Sequence, residues 1–221
     1  MKHLRQAFDR ELAALEHDVV HMGRLAGQLI RRSVEALRTR DVLAAEAVIR
    51  ADDAIDALHL ELEHRVVALL ATQQPMAGDL REVASILAIS IDLERLADHA
   101  EGVSRAARRL STERPMPELE AMLVVMEAAV QEMLADVLEA FQRRDAALAE
   151  GLGAKEDRVD ALRARVFHTL LSAMAADPRA VTRGLEYLLA AQHLERAADH
   201  ITNVAERVIY MTTGEMREIN R

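Results

Sequence analysis

Apolar positions along this chain recur at helical spacing and are interrupted by short polar turns. Leu87, Glu94 and Asp98 share one helical stripe, as do Leu188, Glu195 and Asp199, so acidic residues lie beside the apolar face. The pattern predicts six long helices, at roughly 5–39, 41–74, 79–110, 118–143, 145–175 and 178–213. Asp79 followed by Glu82 reads as a capping box. Asp177-Pro178 reads as an N-cap followed by proline at the first helical position. Ser111-Thr112-Glu113-Arg114-Pro115-Met116-Pro117 is the one good linker. The breaks at Asp41 and Asp145 are weaker, and one continuous kinked helix is an open alternative at each.

The six helices are one unit written twice. Arg40-Asp41-Val42-Leu43-Ala44-Ala45-Glu46 aligns with Arg144-Asp145-Ala146-Ala147-Leu148-Ala149-Glu150 at an offset of 104, and His64 keeps that offset with His168. Leu93-Glu94-Arg95-Leu96-Ala97-Asp98-His99 aligns with Leu194-Glu195-Arg196-Ala197-Ala198-Asp199-His200 at an offset of 101. The expected fold is therefore all-α: two tandem three-helix antiparallel bundles, 1–110 and 118–221, joined by the linker 111–117. Composition agrees. Of 221 residues none is Cys or Trp, and only 8 are Gly, which argues against a β-sandwich or barrel and leaves no disulfide, zinc ribbon or thiol nucleophile.

A net charge of −9 makes the chain a poor default partner for nucleic acid or an anionic membrane surface. The basic stretch Arg105-Ala106-Ala107-Arg108-Arg109 falls where a helix should end, so it reads first as a solvated terminus favoured by the helix dipole and second as a docking patch. The most apolar run, 83–91, is too short to span a bilayer. The first ten residues carry charges throughout, unlike a signal peptide. The expected compartment is the cytoplasm.

Acidic residues four apart share a helix face. Asp52 with Asp56, Glu94 with Asp98, Glu156 with Asp160 and Glu195 with Asp199 supply one such pair on the second and third helices of each copy. Hairpin register decides whether the pairs meet. Asp56 opposite Glu94 and Asp52 opposite Asp98 are both centred on Pro75; Asp160 opposite Glu195 and Glu156 opposite Asp199 are both centred on Asp177-Pro178. Four carboxylates at one level beside a core repel one another and lose hydration. A hard cation with oxygen ligands, such as Mg²⁺, Ca²⁺, Mn²⁺ or iron, compensates directly, with zinc a further candidate. Protonation, or arginines from neighbouring helices, is the alternative. Arg95 and Arg196 adjoin the acids in sequence but lie about 100° away around the helix.

The chain resembles the PhoU family of phosphate-signalling regulators over almost its full length. The resemblance rests on Phe8-Asp9-Arg10-Glu11-Leu12, Met22-Gly23, Gln74-Pro75-Met76-Ala77-Gly78-Asp79-Leu80-Arg81, the two acidic motifs ending in His99 and His200, and Asn203-Val204-Ala205-Glu206. It implies a metal site on the acidic motifs of each bundle and a non-enzymatic role. That role is negative regulation of the phosphate-starvation response, coupling the ATPase subunit of a phosphate ABC transporter to a sensor histidine kinase. The protein would be a homodimer that meets the membrane through its partners alone. The family often has Asn one turn after the motif Asp. Asn203 fits, but the first copy has Gly102, which suggests a weaker or different first site. His99, His200 and Asn203 are candidates to hydrogen-bond the ligands from behind.

The rival readings are a carboxylate-bridged metalloenzyme and a metal-free transport scaffold. Glu61-Leu62-Glu63-His64 matches the Glu-x-x-His unit of di-iron bundles, but Arg165 replaces Glu61 in the second copy, and Arg163 replaces His59, which weakens the oxidase. His17 and His21 have zinc-like spacing with no counterpart at Ala121 and Val125, and read as solvent-facing. Met116, Met122, Met126 and Met133 read as core filling, with an adaptable partner surface as the sharper alternative.

Overall fold

The computed structural model describes the backbone of residues 2–219 and the side chains of 5–219. The described residues form helices α1 (Lys2–Thr39), α2 (Val42–Gln73), α3 (Gly78–Leu110), α4 (Pro117–Arg143), α5 (Ala146–Glu150), α6 (Gly153–Ala176) and α7 (Val181–Thr213), with a 3-10 turn at Pro178–Ala180 and no strand. No helix among them is long and apolar enough to cross a membrane.

The breaks before α2 and α5 are true helix ends. Arg40 and Arg144 take left-handed backbone at φ 59 and φ 53. The following aspartates then cap: Asp41 accepts from the Ala44 N–H at 2.9 Å, and Asp145 from that of Leu148 at 3.0 Å. Asp177 also caps, accepting from the Arg179 N–H at 3.0 Å ahead of Pro178. Two local expectations fail. The Asp79–Glu82 capping box does not form: Ala77 holds the N-cap position without a side-chain bond. Asp79 instead accepts from Arg5 at 2.5 Å, tying the start of α1 to that of α3. The expected helix 145–175 is two helices, because Gly151 ends α5 and Leu152 turns inward to 1 % exposure. Gly153 follows because a Cβ there would meet the Ile219 Cγ2 at 2.7 Å.

The third helix of each copy lies at the centre. α3 packs along α7; α1 and α2 flank α3, while α4, α5 and α6 flank α7. A single apolar cluster runs through both copies, from Leu15, Ile30 and Ile86 to Leu194 and Ile201. Met126 and Met133 are fully buried within it, as core filling requires.

Two arginines lock the halves together. Arg40 donates to Glu120 of α4 at 2.6 Å and to the hydroxyl of buried Tyr187 on α7 at 2.5 Å, and that hydroxyl donates to Glu120 at 2.6 Å. At the repeat-related place Arg144 donates to Glu16 of α1 at 2.9 Å and to Glu82 of α3. Each copy thus reaches into the other from the same left-handed corner.

Candidate metal centres

In each half the four carboxylates lie near enough to raise one another's proton affinity. In the first, Asp52 on α2 is 8 % exposed, while Asp56 stands open to solvent and Glu94 and Asp98 on α3 are partly buried. In the second, Glu156 on α6 is also 8 % exposed, Asp160 is open, and Glu195 and Asp199 on α7 are partly buried. Each quartet is thus one buried anchor with three side chains opening toward water.

The electrostatics follow the burial. Burial, then Asp56 and Asp98, push the Asp52 carboxyl up to about 7. Burial, then Asp160 and Asp199, do the same to Glu156, also to about 7. Burial, then Asp98, raises Glu94, and burial, then Asp199, raises Glu195. Burial, then Asp160, raises Asp199. A proton or a cation is needed to make these acids comfortable.

Arginine meets part of that demand. Arg95 curls back over its own quartet, 3.4 Å from Glu94 and 3.0 Å from Asp98. This departs from the expectation that it points away, because a flexible arginine one position from Glu94 and three from Asp98 reaches both. In the second quartet Arg163 replaces His59, and its Nε lies 3.8 Å from Glu195 with no hydrogen bond. His59 shares a hydrogen bond with the Ser90 hydroxyl at 3.0 Å.

The residues fit an oxygen-liganded cation. Asp52 Oδ1 is buried and has no hydrogen-bond partner among the described residues, a costly state for a carboxylate that coordination would relieve. Among the described residues, no three His, Asp or Glu side chains already converge in an arrangement that holds an ion. Closing either quartet would require the open aspartates to turn inward.

His99, His200 and Asn203 spend their hydrogen bonds elsewhere, in the seam between α3 and α7. The ring of His200 contacts Asp92 at 2.9 Å, and Asn203 donates to the same carboxylate oxygen at 3.1 Å. His99 meets His193 at 3.3 Å between Nδ1 atoms, and the His99 and His200 rings lie 5.3 Å apart. Asp92 and His193 are repeat-related at the offset of 101, the signal that could have found them. Burial, then His200 and His193, lower His99 to about 3 and keep it neutral at pH 7. Burial, then Arg196, Arg109 and Arg105, also lower His193. Gly102 leaves room for the His193 ring, whose Cε1 would stand 2.3 Å from a Cβ there. Glu101, another residue the acidic spacing did not single out, repels the Asp52 carboxylate and helps to raise it. His17, His21, Glu61 and His64 are exposed.

Comparison with known proteins gives the arrangement a context. The family model described as "PhoU domain" matches residues 19–107 and again 123–208. The phosphate-specific transport system accessory protein PhoU homolog of Clostridium acetobutylicum is 36 % identical over 98 % of this chain and 99 % of its own. The homolog from Streptococcus pneumoniae is 34 % identical over 98 % of this chain and all of its own. The crystal structure of PhoU from Pseudomonas aeruginosa superposes with a TM-score of 0.89 at 35 % identity, covering 94 % of this chain and all of that one. The phosphate transport system regulatory protein PhoU from Streptococcus pneumoniae gives 0.88 at 33 % identity, covering 95 % and 99 %.

Proposed function

The chain belongs to the PhoU family, and on that premise we propose that it is an accessory protein of a phosphate transporter that restrains the phosphate-starvation response. It works by binding at the cytoplasmic face, without turning over a substrate. Its partners are the transporter's ATPase subunit and a sensor histidine kinase, and its working form is a homodimer. The supporting comparison is the full-length similarity to proteins named as phosphate-specific transport accessory proteins.

The observation that carries the scaffold chemistry is the pair of repeat-related carboxylate quartets, each with one acid 8 % exposed. Asp52, Asp56, Glu94 and Asp98 would hold one metal centre, and Glu156, Asp160, Glu195 and Asp199 the other. When bound, the ions supply positive charge that ties the second and third helices of each bundle together. The buried anchors, Asp52 and Glu156, fix the depth of the site. The open aspartates close it from solvent. A shared core and the Arg40 and Arg144 locks then carry any change at one quartet to the other half.

One observation favours a second reading, a metal-free scaffold: Arg95 already lies across Glu94 and Asp98. Complementation separates the two. In a strain lacking its own family member, the wild-type chain should restore repression of a starvation reporter in high phosphate and co-purify with the transporter ATPase. The Asp98→Asn/Asp199→Asn variant should fold and fail to repress. Full repression by that variant supports the metal-free scaffold; failure of the wild type contradicts the regulatory role.

A further inference from the structure

The basic stretch near the end of α3 lines a groove that adjoins the first acidic quartet at Asp98 and extends beyond it. Asp98, Glu101, Gly102, Arg105 and Arg109 of α3 and His193 of α7 enclose about 440 Å³, open to solvent on one side. A neighbouring groove of about 450 Å³ shares Arg105 and Arg109 and adds Arg108 and Ile49. The acids on the rim are already paired. Arg105 gives one terminal nitrogen to Glu101 at 2.7 Å, Arg109 gives its Nε to Glu186 at 2.6 Å, and Arg95 holds Asp98 at 3.0 Å. The other N–H groups of Arg105 and Arg109 make no hydrogen bond among the described residues, nor does Arg108 form an ion pair there. Cations in a last helical turn explain Arg108 and Arg109 as solvated residues. They do not explain why Gly102 makes room for the His193 ring on the far wall of the groove.

The internal repeat supplies a control within the same chain. At the offset of 101, Gly102 becomes Asn203, Arg105 becomes Glu206 and Arg109 becomes Tyr210, while Asp92 stands where His193 does. The second copy therefore lacks the cationic lining and carries acids at two of its places. It is also covered, since Glu206 accepts the Ile219 N–H at 2.9 Å and brings the C-terminal segment over that position. The groove that remains beside Glu206, about 600 Å³, is lined by Met216, Arg217 and Glu218, and its one guanidinium is already bonded to Glu150 and Glu215.

We infer that the groove formed by Arg105, Arg109 and His193 beside Gly102 binds a phosphate-type oxyanion, and that its ligand is free inorganic phosphate. Forked guanidinium donors on one wall and an imidazole on the other suit a tetrahedral anion with several acceptor oxygens. The choice of phosphate among oxyanions rests on the proposed role in phosphate transport; the groove and its asymmetry do not.

Calorimetric titration of the full chain with inorganic phosphate tests this, in chelator and again after metal loading, with ATP as a second titrant carrying the same chemistry on an organic group. One phosphate should bind per chain in both conditions. Affinity should fall at least about tenfold in Arg105→Ala/Arg109→Ala, as loss of charge-assisted hydrogen bonds requires. Arg105→Lys/Arg109→Lys keeps the charge that meets Glu101 and Glu186 and should lie between; it serves if the alanine variant melts early. Absence of phosphate binding in both conditions overturns the inference. So does binding that survives in a folded arginine variant, which would put phosphate elsewhere, or binding of ATP alone. A chain that binds no phosphate yet restores repression in the complementation assay would sink the groove and leave the regulatory role standing.

Discussion

Replacing the two buried anchors, Asp52→Asn with Glu156→Gln, should remove most of the pH dependence of stability in the metal-free protein. Burial and neighbouring acids lift Asp52 from an ordinary 3.8, and Glu156 from 4.5, each to about 7. The unfolded chain releases both protons near pH 4 to 5, whereas the folded chain keeps them to about pH 7. The folded state therefore binds more protons in that window, and its stability falls as pH rises through it. About three pH units of separation at Asp52 and about two and a half at Glu156 set ceilings of about 4 and about 3 kcal/mol. Water on the open side of each quartet should reduce these to about 1–2 kcal/mol apiece. Urea unfolding followed by circular dichroism between pH 5 and pH 8 in chelator reads the effect. Wild type should lose about 2–4 kcal/mol across the range, while the amide variant stays nearly flat and is the more stable protein at pH 8. Saturating metal should reverse the wild-type slope and leave the variant unmoved. A flat wild-type profile in chelator would show that the anchors are not desolvated as the helix register requires.

Other outcomes follow from single contacts. Arg40→Ala removes a largely buried cation from Glu120 and Tyr187 and should cost about 3 kcal/mol in urea unfolding; a loss under about 1 kcal/mol would show that the lock does not hold the halves together. Gly102→Ala drives a Cβ into the His193 ring and should cost about 1–3 kcal/mol, with most of it recovered in Gly102→Ala/His193→Ala; no recovery would place the strain elsewhere. Arg95→Ala frees Glu94 and Asp98 and should tighten metal binding in a competition titration with a chelating dye, whereas weaker binding would mean that the guanidinium supports the site instead of competing for it.

Which of these features can be read from the chain depends on how far apart the partners lie. The hairpins were legible because Pro75 and Asp177-Pro178 stop helices locally, and a turn of known position fixes which residues face one another. The same reasoning brought Asp52 and Asp56 near Glu94 and Asp98, and these acids do act on one another electrostatically. It missed the fate of Asp79, because the residue that claims its carboxylate, Arg5, comes from the start of another helix. It also missed the break at Leu152, where the apolar residue fits the continuing pattern and the flanking Gly151 and Gly153 carry the local sign. The seam of His99, His193, His200 and Asp92 joins residues of opposite copies. Its existence depends on α3 lying along α7, which no local periodicity encodes. The reach of Arg95 was hidden for a different reason: helical angle locates a Cβ well and the end of a long flexible side chain poorly.

Metal content measured by inductively coupled plasma mass spectrometry puts the two carboxylate quartets to the most direct test. The purified wild-type chain, reloaded with Mg²⁺, Mn²⁺, Ca²⁺, iron or Zn²⁺ and then desalted, should retain at least one equivalent of a preferred ion in each half. Asp98→Asn/Asp199→Asn, folded to the same melting curve, should retain almost none. Equal retention by the two proteins, or none by the wild type under every loading condition, would contradict the account.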